Sequence, residues 1–108
     1  MALVVRDSDT TTTDGTEQTL GAAQTFAGVY VVQVDLSALQ AGESVKLKAK
    51  TKTLTGSAVA IFIDQTFTGV QAEPIVQTEP LTSPFSFTAT LQRTVGTDRA
   101  YPWSINSV

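Results

Sequence analysis

The chain has 108 residues, 42% of them hydrophobic, and a formal net charge of −3, which sets the size of one domain with one core. It contains no histidine and no cysteine, so imidazole bases, thiol nucleophiles, disulfides and imidazole or thiolate metal sites are all excluded within the chain. Only 16% of its residues are charged, below the usual value of about a quarter, and threonine and serine supply much of the polar surface.

The opening MALVVRDSD has a short apolar run broken by Arg6 and Asp7. A secretory leader needs a basic start and a longer apolar core. No apolar run approaches the roughly 18–20 residues of a membrane helix. The expectation is a protein made and kept soluble in a cytoplasm, with no membrane partner. RDSDTTTTDGTEQ follows and reads as a polar segment ordered only against a neighbour. Residues 1–15 are therefore expected to be a flexible N-terminal arm and 16–108 a folded domain.

Period-2 alternation then dominates. In GVYVVQVDLS, Tyr30, Val32, Val34 and Leu36 share a face opposite Gln33 and Asp35. LSALQAGE reads as a helical turn at most, ended by Gly42. In ESVKLKAKTK, Val45, Leu47 and Ala49 alternate with Lys46, Lys48, Lys50 and Lys52. In SAVAIFIDQTFTG, Val59, Ile61 and Ile63 alternate with Ala60, Phe62 and Asp64. AEPIVQTEPLTSP holds three of the four prolines and reads as an extended or edge segment crossing between sheets. SPFSFTATLQRTVG places Phe85, Phe87, Ala89 and Leu91 on one face. AYPWSINSV turns Tyr101, Trp103 and Ile105 inward, with Pro102 pointing to an edge strand or a bulge. About seven or eight short strands with no convincing helix predict an all-β fold. A single-domain β-sandwich or small barrel, jelly-roll-like or Greek-key in connectivity, is expected.

The lysine row is the most specific feature. Lysines two apart on a strand lie roughly 7 Å apart, and their repulsion in water is about 0.6 kcal/mol per adjacent pair. That is tolerable, so the row reads in two ways: a solvated face that guards a sheet edge, or a contact for an acidic protein surface. Nucleic acid fits poorly, because four lysines lack arginine forks and stacking aromatics and the chain is acidic. Arg6, Asp7 and Asp9 of the arm join the four lysines as candidate partner-binding residues.

Other candidates are weaker. Asp7, Asp9, Asp14 and Glu17 imitate a calcium loop, but Thr11 stands where the third acid should be. Acid–base work needs two acids converging in a cleft; Asp35 and Asp64 lie on different strands, and nothing in the sequence places them together. No Gly-rich phosphate loop occurs. The sequence therefore predicts no enzyme, no cofactor and no metal.

The order of GVYVVQVDLSALQAGE, SPFSFT and GTDRAYPWSI resembles small all-β virion structural proteins of tailed bacteriophages, over about Asp14 to the C-terminus. The resemblance implies a capsid decoration or cement protein bound to the outside of the phage head. Its partners would be the major capsid protein or neighbouring virion subunits, and its own state a homo-oligomer, most often a trimer. A tail or head–tail connector subunit is the rival within the same class. From a different class, a carbohydrate- or receptor-binding β-sandwich module would need exposed aromatics, for which Phe26, Phe67 and Tyr101 are the candidates.

Overall fold

A computed structural model describes residues 4–107. Nine strands and no helix are found among them: β1 (Val4–Thr12), β2 (Gln18–Thr19), β3 (Gly28–Asp35), β4 (Ser44–Thr51), β5 (Ala60–Thr68), β6 (Ile75–Gln77), β7 (Leu81–Ser83), β8 (Phe87–Val95) and β9 (Ala100–Ser107). They form two antiparallel sheets. In the first the order is β1-β9-β3-β6, with β7 also paired to β3; in the second it is β2-β8-β4-β5.

The pairings are nested. β4 meets β5, β3 meets β6 and β7, β2 meets β8, and β1 meets β9. A long hairpin rolled in this way over two facing sheets is a jelly roll. Its core lies between the sheets. Tyr30, Val32 and Val34 of β3 and Tyr101, Trp103 and Ile105 of β9 face Val45, Leu47 and Ala49 of β4 and Phe87, Ala89 and Leu91 of β8, all of them buried. Tyr30 stacks on Phe87 with ring centroids 4.6 Å apart, and its hydroxyl donates to the Phe26 carbonyl at 2.7 Å. That bond satisfies the one polar atom the ring carries inward.

Several expectations need correction. The stretch read as an arm is ordered over residues 4–12: β1 pairs with β9 from Val4↔Ser107 to Thr12↔Ala100, with a bulge between Val5 and Asp7. Met1–Leu3 lie outside the described residues. Backbone pairing holds this strand, because its inward positions carry Asp7, Asp9 and Thr11 and offer little to bury. Thr11 takes the indole N–H of Trp103 at 2.8 Å.

In β5, Lys50 pairs with Ile61 and Ala49 with Ile63, so Phe62 is a bulged extra residue. The bulge flips the parity of what precedes it. Ile61 therefore joins the outer face beside Lys50, and only Ile63 of the expected Val59–Ile61–Ile63 face packs on the core. Pro102 is on neither an edge strand nor a bulge. It lies in central β9, one residue past the last β3 pair, Val34↔Trp103, where the missing N–H costs that ladder nothing. Residues 36–43 form two successive turns, Leu39 N–H to Leu36 O and Glu43 N–H to Gln40 O.

β6 and β7 do not cross between sheets; both lie along one side of β3, with Thr78 at the break. Its N–H donates to Val32 O at 2.9 Å, and its hydroxyl accepts the Val32 N–H at 3.1 Å. A side chain thus completes the ladder where the strand is interrupted.

One end of the sandwich is held by Glu43, a buried residue. Its carboxylate accepts Arg99 Nε at 2.7 Å and Nη2 at 3.2 Å, together with the N–H groups of Gln40 and Thr97 at 2.9 and 3.1 Å. Its carbonyl takes the Gly69 N–H at 2.8 Å. Arg99 in turn exchanges backbone and hydroxyl bonds with Thr13. Four loops, β1–β2, β3–β4, β5–β6 and β8–β9, are joined through these two residues. Gly96 is required beside them: it has φ +103°, and a Cβ there would meet Glu43 Cγ at 2.5 Å.

The Arg99 guanidinium, with the two backbone N–H groups, holds the Glu43 carboxyl at about 2, against an ordinary 4.5. A depressed carboxyl stabilises the fold above its ordinary pKa and loses that contribution as the proton returns. Urea midpoints are therefore expected to fall as pH drops from about 4.5 to about 2. Glu43→Gln, which sets an amide donor against donors, should lower the midpoint at neutral pH and flatten that profile. Thr78→Val leaves the Val32 N–H without its partner, and chemical denaturation should read a loss of about 1–3 kcal/mol.

Candidate functional site

β4 is an interior strand, flanked by β8 and β5. The lysines therefore do not guard a sheet edge. Lys46, Lys48 and Lys50 occupy the centre of the outer face of the second sheet, and Lys52 follows at the end of the strand. The alternation predicts this orientation, and burial agrees with it: Val45, Leu47 and Ala49 are fully buried, while Lys46, Lys48, Lys50 and Lys52 are half-buried. Half-burial is the usual state of a lysine whose methylene stem lies along the sheet and whose ammonium reaches water.

Register fixes the neighbours. Lys46 lies between Gln92 and Thr66, Lys48 between Thr90 and Asp64, and Lys50 between Thr88 and Ile61. Ammonium groups thus alternate with hydroxyls and amides across three strands. Two carboxylates enter the array. Asp64 stands 3.8 Å from Lys46 Nζ. Glu17, from the loop before β2, stands 3.0 Å from Lys50 Nζ and accepts the Thr90 hydroxyl at 2.6 Å. The Thr90 hydroxyl, then Lys50, hold the Glu17 carboxyl below its usual range. Lys52 Nζ donates to the Thr55 carbonyl at 3.1 Å. Lys48 forms no ion pair among the described residues.

Three of the four lysines of the chain are on this face and the fourth, Lys52, follows one residue past β4, against two carboxylates. A chain of net charge −3 thus carries a locally positive surface. Partly exposed pairs such as Lys50–Glu17 contribute about 0.2–1 kcal/mol. They orient the ammonium groups more than they stabilise the sheet. Chemically the array offers charged donors and hydroxyls to an anionic surface.

Arg6, Asp7 and Asp9 are not brought to this face. They belong to β1, at the edge of the other sheet. The Arg6 guanidinium lies 4.3 Å from the Phe26 ring centroid, and its Nε donates to Ser107 Oγ at 2.6 Å. Asp7 accepts the N–H groups of Ser8 and Ala22 at 2.9 and 3.1 Å, and Asp9 accepts that of Thr10 at 2.7 Å. These contacts pin the edge strand. Asp14, the other acid of that stretch, accepts from Thr16 and Gln18, and those bonds lower its pKa.

Asp35 and Asp64 lie in different sheets and do not converge. Asp35 closes a turn by accepting the N–H and hydroxyl of Ser37. Of the aromatics considered as sugar platforms, Tyr101 is buried, Phe67 is half-buried and Phe26 carries Arg6 on its ring. Glu17, Thr90 and Asp64 were not legible as members of the lysine face. Their contacts join residues far apart in the chain, and only strand register could have paired them.

Comparison with protein-family models, with curated proteins and with solved structures finds no match for this chain.

Neighbouring positions of β4 should respond oppositely to substitution. Lys48→Gln should leave the denaturation midpoint within about 0.5 kcal/mol of the parent. Leu47→Ala, one residue away, should cost about 2–5 kcal/mol through the cavity it leaves.

Proposed function

We propose that this chain is a non-enzymatic structural protein of a bacteriophage virion, of the head decoration or cement type. In this reading the lysine face docks on an acidic patch of the major capsid protein or a neighbouring subunit. The observation that carries it is the gathering of Lys46, Lys48 and Lys50 onto one outer face of a sheet, with Lys52 next in line and two carboxylates interleaved. A virion lattice repeats one contact many times, so individually weak charge pairs add by avidity.

Three further points support the reading. The jelly roll is a fold used by viral capsid domains, an argument from analogy because it also serves lectins. Two of the segments that carry the resemblance to phage virion proteins supply β3 with the turns that lead to Glu43, and the Arg99 loop with the start of β9. Finally, the chain has neither histidine nor cysteine, and its one candidate carboxylate pair is split between sheets, so catalysis has no obvious carrier.

Co-expression with the major capsid protein of the same genome, followed by sedimentation of the shells, tests the reading. The expected result is co-sedimentation that weakens as salt is raised. Substituting Lys46, Lys48, Lys50 and Lys52 together by Gln should remove most of it without unfolding the protein. A wild-type protein that stays in the supernatant at low salt would overturn the proposal. Binding that the glutamine variant keeps, with unchanged salt dependence, would remove the lysine face from it.

A further inference from the structure

A jelly roll built from open sheets has edges, and unpaired edge strands invite pairing with other chains unless they are blunted. Three sides are blunted here. β1 carries Arg6, Asp7, Asp9 and a bulge. β2 has two residues. β6 and β7 have three each and are bordered by Pro74, Pro80 and Pro84. β5 is different. It has nine residues, contains neither lysine nor proline, and its single charge, Asp64, is engaged by Lys46. Past the bulge at Phe62, residues 63–68 run regularly along β4 and have no partner on their other side among the described residues.

The side chains of this edge are also incompletely covered. Ile63 and Phe67 face inward and pack on the core but are only partly buried. A groove of about 750 Å³ opens beside them, lined by Gln65 and Phe67 of β5 and by Ile75 and Val76 of β6. Ile61, at the start of the strand, is 56% exposed.

We propose that β5 pairs antiparallel with β5 of a second copy, about a two-fold axis at Gln65, joining the two four-stranded sheets into one. The occupant is a second copy because the strand complements itself in this register. Ile63 falls opposite the partner's Phe67, twice, and these branched and aromatic pairs lie on the inner side, over the groove. Asp64 falls opposite the partner's Thr66. At the ends of the register Phe62 falls opposite the partner's Thr68, the last residue of β5. Moving the axis to Asp64 would set two carboxylates opposite one another on one face. A slip of one residue would place inner side chains against outer ones. The contact is closed and isologous and is independent of the virion reading. It differs from the three-fold association that the resemblance to phage proteins implies.

The full-length chain is the sample, and its lack of cysteine makes crosslinking unambiguous. Light scattering on the wild type is expected to give a mass twice that of the chain at micromolar concentration. Gln65→Cys should form a covalent dimer on oxidation, because opposed residues sit about 4.5–5.5 Å apart, within disulfide range. Asp64→Cys should not, its symmetry mate being about 7–8 Å away on the diagonal. Thr66→Asp faces the partner's Asp64 while sitting beside Lys46 of its own chain. It should weaken the dimer roughly threefold to tenfold with the monomer still folded, and Thr66→Lys should tighten it. A monomer at every concentration, a trimer mass, or crosslinking by Asp64→Cys but not Gln65→Cys would each overturn the pairing. Capsid binding has its own readout in the lysine variant, so the two proposals fail separately.

Discussion

The strict alternation of β4 is the constraint on which both halves of this molecule rest. Because side chains on a strand alternate between faces, one strand supplies the centre of the core and the centre of the charged surface. Val45, Leu47 and Ala49 are fixed inward by burial, and this forces every intervening lysine outward. A slip of one residue would bury three or four ammonium groups, a cost far beyond anything the sheet could recover. Hydrophobic packing therefore sets the register of the electrostatic face. The lysines need no strong partner to hold their places.

Above that strand, the loops are organised by Glu43, the residue immediately before β4. Its carboxylate and carbonyl receive groups from two other connections, through Thr97 and Arg99 of one and Gly69 of the other. In a nested topology the first and last strands are paired although they are far apart in sequence. A multidentate charged contact near the open end is an economical way to close it. The opposite device appears at Thr78, where a neutral hydroxyl stands in for a missing backbone partner. Both show polar groups inside the fold placed where a ladder or loop would otherwise be left unsatisfied.

The fold was legible where alternation and burial coincide, and obscure where they part. β3, β4 and β8 each present an apolar face to the core, and each is evident from its pattern. β1 is not, because Asp7, Asp9 and Thr11 fill its inward positions, and a strand held by backbone bonds to β9 leaves no hydrophobic signature. The bulge at Phe62 was equally hidden, since the residues on either side alternate as a continuous strand would. The lysine row itself could be read directly. Its carboxylate partners and the Glu43–Arg99 pair could not, because a contact between residues 56 apart leaves no local mark.

The proposed docking makes the lysine face a contact surface and not solely a solvated one. Lysine acetylation footprinting on the free protein and on protein bound to assembled shells addresses it residue by residue. Lys46, Lys48 and Lys50 are expected to be labelled in solution and protected in the particle. Equal labelling of the three lysines in the two states would contradict it.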